Sequence, residues 1–339
     1  MKLPENAFTQ FTPDLRICRL LTGLWQVSGA HGSIDPHKAI DDMLAYHNEG
    51  FITWDLADHY GPAEDFIGLL RHRLLNERGE DAVNRVQAFT KWVPRPGRMN
   101  RMIVEEAINI SLRRMNVERL DLLQFHWWDY QNPAYLDALH HMMDLQKESK
   151  IRHVALTNFD TEHLEIIVRN GINIVSNQVQ YSLIDRRPEI KMAALCQKHS
   201  IKLLTYGTYC GGLLSESYLG APEPTVNMLT TASLRKYKNM IEAWGGWDLF
   251  QDLLRTLKAI ADKHGVSIPN VAVRAILDKP TVAGVIVGAR LGQSEHRTDN
   301  VRVFNFELDS NDLAQIETVT QQQHNSFKVI GDCGDEYRR

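Results

Sequence analysis

Residues 151–181 read IRHVALTNFDTEHLEIIVRNGINIVSNQVQY, and this stretch decides the fold. Its first eight residues, Ile151 to Asn158, form an apolar, β-branched run of strand length. Asp160 then stands where a helix wants a side-chain oxygen to accept its first free N–H groups. Leu164, Ile167 and Val168 follow at the 3–4 spacing that puts them on one helical face. Gly171 supplies the stop, because glycine enters the left-handed conformation at no steric cost. A second apolar run extends from Ile174 to Tyr181. Strand, helix and strand in this order form one βαβ unit, and strands apolar on both faces belong to a parallel sheet covered by helices.

The unit recurs in both directions along the chain. Further strands are expected at Arg19 to Trp25, Phe51 to Asp55, Arg85 to Trp92 and Leu120 to Trp127, then at Ile201 to Tyr206 and Val282 to Ala289, which makes eight. The first intervening helix shows the same signals, with Asp35 as N-cap, Pro36 at the first helical position, Ala39, Ile40, Met43 and Leu44 on one face, and Gly50 as the stop. Eight strand–helix units in one chain of 339 residues predict an α/β protein of the (β/α)8 TIM barrel type, a single domain over 1–339. An open doubly wound sheet is the alternative. No GxGxxG follows any strand, and the first strand runs into GLWQVSG, so the barrel is favoured. Residues 215–246 break the rhythm and are expected to form an insertion loop after strand seven, over the active-site face, as either a substrate lid or a packed excursion. The last helix spans about Asn311 to Thr320, and 321–339 form a C-terminal tail with no place in the repeat.

Composition narrows the function. Hydrophobic residues make up 43% of the chain, enough for a large core, and the net charge of −4 offers no basic field for nucleic acid. No apolar run reaches the length of a membrane span, and the start lacks the apolar stretch of a signal peptide. A soluble, cytoplasmic protein is therefore expected, with neither nucleic acid nor membrane as partner. Cys18, Cys196, Cys210 and Cys333 stand far apart and read as reduced thiols. The adjacent His140 and His141 have no metal-ligand spacing, and no metal is expected. Ser233-Leu-Arg-Lys236 has the spacing of an SxxK pair without its companion motifs and reads as the start of a solvated helix.

Barrel enzymes work at the C-terminal ends of their strands. Asp55 ends strand two, Tyr60 follows in its loop, Lys91 lies at the end of strand three and His126 at the end of strand four. Each alone has an ordinary role in capping or packing; four titratable groups at one rim point to chemistry. Such a set suits proton donation to a carbonyl oxygen while hydride arrives at the carbon. Lys91 is expected to lower the Tyr60 phenol below its ordinary value of about 10, and Asp55 to hold Lys91. His126 is expected to donate a hydrogen bond to the substrate oxygen or to share the proton relay. Trp25, Trp92, Trp127 and Trp128 are expected to line the substrate pocket.

These motifs resemble those of the aldo-keto reductases from about Leu20 to Asn300. WDLADHYGPAE is similar to the family's Asp-x-Ala-x-x-Tyr-Gly-x-x-Glu signature, AFTKW to its lysine strand and QFHWW to its histidine strand. The resemblance implies a catalytic tetrad of Asp55, Tyr60, Lys91 and His126, and an extended NADP(H) across the barrel mouth. ALTNF and NQVQY resemble segments that hold the nicotinamide carboxamide, which implies Thr157, Asn158 and Gln178. LLTYGTYCGGLL resembles the Tyr-Ser-Pro-Leu-x-x-Gly-x-Leu segment, which implies stacking by Tyr206 and contacts from Gly207 and Gly212, with Gly207 and Thr208 departing from the usual serine and proline. VIVGARLGQSEHRTDN resembles the adenosine-binding stretch, implying Gly288, Arg290, His296, Asp299 and Asn300. There Arg290, with Arg297 as a second possibility, meets the 2′-phosphate, and a short helix points its N-terminus at phosphate. Gly23, Trp25 and Asp55 complete the implied cofactor surface. The expected activity is NADP-dependent reduction of an aldehyde or ketone, the small-molecule partner being a carbonyl or its alcohol. Two alternatives stay open: a dehydrogenase working mainly in the oxidative direction on a sugar or alcohol, and a nucleotide-binding regulatory subunit like the channel-associated members of the family.

Overall fold

The computed structural model describes residues 2–338. A hairpin opens the chain, β1 (Phe8–Thr12) antiparallel to β2 (Leu15–Cys18). Eight parallel strands follow: β3 (Leu20–Gly23), β4 (Thr53–Asp55), β5 (Gln87–Trp92), β6 (Leu120–Phe125), β7 (Ile151–Thr157), β8 (Ser176–Gln180), β9 (Lys202–Tyr206) and β10 (Val282–Gly288). They close in sequence order, with β10 pairing back onto β3, so the expected (β/α)8 barrel is the observed one.

The ends of the helices are set by the residues that mark them in the sequence. Asp35 accepts from the backbone N–H of His37 at 2.9 Å, and Gly50 ends that helix at a φ of 105°. Asp160 accepts from the N–H of His163 at 2.7 Å and opens the helix Thr161–Arg169. Leu164 and Ile167 of that helix are buried against the barrel wall.

The hairpin lies outside the strand–helix repeat and was not expected. Phe11, Leu15 and Ile17 pack with Leu21, Phe89, Leu122, Ala155, Leu204 and Ala283 in one apolar cluster. This cluster fills the barrel interior at the N-terminal ends of the strands, and the opposite mouth is left to polar side chains.

Residues 215–246 are not a plain loop. Two short 3-10 turns lead into a helix, Ala232–Trp244, capped by the Thr231 hydroxyl on the N–H of Leu234 at 3.2 Å. Its buried Tyr237, Met240, Ile241 and Trp244 recur at helical spacing, which is why it packs rather than trails. In the tail, the helix Ser326–Ile330 and a 3-10 turn, Asp335–Tyr337, fold back to the barrel mouth; Arg339 lies outside the described residues. No described helix is long and apolar enough to cross a membrane.

Candidate active site

A cavity of about 670 Å³ opens at the C-terminal ends of the strands. Every barrel strand or its exit contributes: Gly23, Asp55, Lys91, His126, Thr157, Gln178, Tyr206 and Gly288 all line it. The register makes this convergence unavoidable, since Gly23 sits beside both Asp55 and Gly288, and Lys91 beside Gln124.

At the floor, the Lys91 ammonium donates to Asp55 Oδ1 and Oδ2 at 2.8 and 2.7 Å and to the Leu56 carbonyl at 3.0 Å. Gln178 Nε2 donates to Asp55 Oδ1 at 2.7 Å and Gln124 Nε2 to the same oxygen at 3.1 Å, and the two amides are joined by a 2.7 Å bond from Gln178 Nε2 to Gln124 Oε1. Gln124 was not anticipated. Its signal was available, for it lies two residues before His126 and so on the same strand face.

Tyr60 sits above this pair, with Lys91 Nζ 5.1 Å from the centre of its ring. Its hydroxyl has no hydrogen-bond partner among the described residues and faces the cavity. The expected lowering of the phenol does not occur. Burial raises it well above the ordinary 10, and Asp55 raises it further. The reason is that Lys91 is already neutralised by Asp55, so the phenol meets a compensated pair rather than a bare cation. Burial also lowers the Lys91 ammonium, with Asp55 pulling the other way. The His126 imidazole is pushed down to about 3 by burial first, then by Arg338, His59 and Lys91. It is therefore neutral at ordinary pH, which favours hydrogen bonding over proton relay, and its buried Nε2 has no partner among the described residues.

Of the four tryptophans, Trp25 and Trp128 line the cavity, Trp128 stacked on the His126 ring at 4.3 Å. Trp92 and Trp127 do not. Trp92 packs on Phe125 at 5.5 Å, while Trp127 packs on Phe125 at 5.8 Å and donates to the carbonyls of Asp129 and Asn132 at 2.6 and 3.0 Å. Successive strand residues point to opposite faces, so the neighbours of Lys91 and His126 turn outward.

All the residues expected to touch a dinucleotide lie on the cavity wall: Gly23, Trp25, Asp55, Thr157, Asn158, Gln178, Tyr206, Gly207, Gly212, Gly288, Arg290, His296, Asp299 and Asn300. Their hydrogen bonds divide them. The Thr157 hydroxyl is buried without a partner. Asn158 Oδ1 instead accepts from the Tyr206 hydroxyl at 2.8 Å, and Gln178 spends its amide N–H groups on Asp55 and Gln124. Gly207, at a φ of 88°, leaves no room for a Cβ, which would lie 2.8 Å from the Tyr237 hydroxyl. A Cβ on Gly288 would overlap the Gln26 amide. Buried polar groups awaiting partners, beside backbone that a ligand can approach closely, fit a nicotinamide dinucleotide.

At the far end, Arg290 is exposed and bonded to Gln293 Oε1 at 2.8 Å. Arg297 is not available as its substitute: it is paired with Asp42 and Glu49 away from the cavity. The short helix expected to face phosphate is a single turn, Arg297–Asn300, and Glu295 already accepts from the N–H of Thr298 at 3.2 Å. Asp299 accepts from Ser267 and Asn270, and Asn300 from the Tyr209 hydroxyl. The insertion reaches the cavity through Ser233, whose hydroxyl lies 2.8 Å from His31 Nε2, and through Lys236 and Tyr237. The tail reaches it through Tyr337.

Comparison with known proteins gives this barrel a family. The model of the aldo/keto reductase family matches residues 19–321, and the chain belongs to that family. It is similar to flagellar radial spoke protein 5 of Chlamydomonas reinhardtii, 35% identical over 180 residues, a match covering 48% of this chain and 34% of that protein. It is also similar to the aldo-keto reductase YhdN of Bacillus subtilis, 25% identical over 315 residues, covering 89% and 90% of the two chains. Among solved structures, the glycerol dehydrogenase of Gluconobacter oxydans shares the fold at a TM-score of 0.75 and 22% identity, over 93% of this chain and 95% of that one.

Proposed function

We propose that this chain is an NADP-dependent reductase of aldehydes or ketones, with Tyr60 as general acid. One observation carries the reading: Tyr60 and His126 line the same cavity above a buried Lys91–Asp55 ion pair, and neither the Tyr60 hydroxyl nor the buried His126 Nε2 has a hydrogen-bond partner among the described residues. A carbonyl oxygen placed between them accepts a hydrogen bond from each. His126 stays neutral and polarises the carbonyl; Tyr60 is protonated at neutral pH and so holds the proton the product alkoxide needs. As that proton leaves, the phenolate faces the Lys91–Asp55 pair, with Lys91 Nζ 5.1 Å from the ring centre and its charge shared with Asp55. The dinucleotide, when bound, supplies the hydride. Thr157 is the group best placed for its carboxamide, because its buried hydroxyl has no other partner. Arg290 suits the 2′-phosphate, where a planar fork of donors matches a dianion. Trp25 and Trp128 give the substrate an apolar, water-excluding wall.

The test is titration of the chain with NADPH and NADH by tryptophan quenching, followed by NADPH consumption on a panel of aldehydes and ketones. Tighter NADPH binding with turnover is the expected result. Binding without turnover on any carbonyl overturns the reductase reading, and no binding overturns the cofactor assignment.

A further inference from the structure

We propose that Lys236 and Tyr337 form an anion-binding corner of the substrate cavity, selecting carbonyl compounds that carry a carboxylate or phosphate. The inference rests on the carbonyl-reducing reading above and adds a substrate class to it.

Lys236 lines the cavity from the helix Ala232–Trp244, and its Nζ donates to the Tyr337 hydroxyl at 2.6 Å. The ammonium lies 4.8, 4.9 and 5.3 Å from the ring centres of Tyr337, Tyr206 and Tyr237. Aromatic faces attract a cation but take none of its directed hydrogen bonds. An ammonium has three donors, and among the described residues Tyr337 is the one acceptor that Lys236 has. No carboxylate among them comes within 4.0 Å of it. Glu336, whose carboxyl the Lys236 charge helps to hold down, makes its ion pair with the buried Arg187 guanidinium at 2.9 Å. Two donors of a cation thus remain for whatever enters the cavity.

The corner is set against the reacting end. The Tyr337 ring meets both His126 and Trp128 edge-on, at 5.8 and 5.9 Å between centres, which sets the corner beside the residues that hold the carbonyl. Tyr337 does not hang loosely in this position. The next residue, Arg338, donates to the carbonyls of Trp127 and Asn158 at 3.0 and 2.6 Å, and Gly334 packs so closely on the Asn158 carbonyl that a Cβ would overlap it. A lysine in an aromatic box beside the carbonyl site matches an anionic oxygen, with the charge-assisted bonds worth about twice neutral ones.

The experiment compares matched substrates at saturating NADPH: succinic semialdehyde against butanal for carboxylate, and glyceraldehyde 3-phosphate against glyceraldehyde for phosphate. The expected wild-type result is at least a tenfold higher kcat/KM for the charged member of one pair, and the pair that responds identifies the anion. In Lys236→Met that ratio should fall to within about threefold of unity, through KM. Tyr337→Phe, which keeps the ring but frees the ammonium, should give an intermediate ratio. On the unaltered protein, acetate or inorganic phosphate should inhibit butanal reduction competitively, a readout independent of any variant's folding. Ratios near unity in both wild-type pairs overturn the proposal, as does a ratio that Lys236→Met leaves in place. A rise in the NADPH dissociation constant equal to the rise in KM overturns it too, since Lys236 then serves the cofactor's phosphates. Absence of turnover on neutral and charged aldehydes alike overturns the reductase reading itself, and the inference with it.

Discussion

Lys91 and Asp55 meet in a two-pronged ion pair, Nζ lying 2.8 and 2.7 Å from the two carboxylate oxygens, with the residues only 2% and 4% exposed. Taking two charges out of water is costly, and removing one partner of such a pair costs about 3–5 kcal/mol because the other stays buried and uncompensated. Lys91→Met is expected to lose stability of that order and all measurable reduction. The double variant Lys91→Met with Asp55→Leu should recover most of the stability and none of the activity. Urea denaturation and NADPH consumption on the three proteins check both halves; equal stability of single and double variants would contradict the account.

Tyr60→Phe removes one oxygen from the cavity and nothing from the dinucleotide surface. Loss of the proton donor should lower kcat by about 100-fold or more, with the NADPH dissociation constant changed less than about threefold. Stopped-flow turnover and tryptophan quenching separate these effects. Undiminished reduction by the variant would take the acid role away from Tyr60.

The His126 imidazole, held down to about 3 by burial, makes stability depend on pH. In the unfolded chain a histidine binds a proton near 6.5, so this group's contribution is fully present above that value. It is lost progressively as pH falls from 6.5 toward 3, because there the unfolded state binds the proton that the folded state refuses. Between pH 7 and pH 5 the loss from this one site is about 2 kcal/mol. His126→Gln, which keeps a donor but does not titrate, should therefore lose about 2 kcal/mol less than wild type over that interval. Denaturation curves at the two pH values decide it, and parallel losses in the two proteins would rule out a neutral His126.

The barrel was legible because its strands are apolar on both faces and its helices carry their starts and stops in the sequence, as Asp160 and Gly171 show. The convergence of Asp55, Tyr60, Lys91 and His126 on one cavity was legible because each lies at or just beyond the C-terminal end of a barrel strand. The hairpin Phe8–Cys18 escaped because it is antiparallel and short, outside the strand–helix rhythm, although Phe11, Leu15 and Ile17 seal the barrel floor. Trp92 and Trp127 were misplaced by counting aromatics at the rim rather than alternating them, since each follows an inward-facing residue and so points out. Tyr337 and Arg187 could not be read at all. Tyr337 meets Lys236 across 101 residues and Arg187 meets Glu336 across 149, and no local period records such a meeting.

Arg290→Ala tests the dinucleotide's far end. Arg290 is exposed and makes its hydrogen bond to Gln293, so its removal should leave folding intact. Binding of NADPH is expected to weaken about tenfold or more, as for loss of a charge-assisted contact, while NADH binding barely changes. Equal losses for the two dinucleotides would place the 2′-phosphate away from Arg290.

Arg187 is the joint between tail and barrel. It is 1% exposed and pairs through Nε and Nη2 with Asp185 Oδ1 and Oδ2, at 2.8 Å each. Through Nη1 it reaches Glu336 Oε2 and the Asp332 carbonyl, at 2.9 Å each. Arg187→Met would strand two buried carboxylates. Asp185 would keep the Gln180 amide at 2.8 Å and the backbone N–H of residue 187 at 3.3 Å, and Glu336 a distant 3.5 Å contact from the Tyr206 hydroxyl. A loss of about 3–5 kcal/mol is expected, and the tail, freed of its anchor, should become the first site of cleavage in limited proteolysis. Arg187→Lys should rescue little, because a single ammonium cannot reproduce the fork that holds Asp185 and the tail together. A protease pattern identical in wild type and Arg187→Met would show that Arg338 and the packing of Gly334 hold the tail without Arg187.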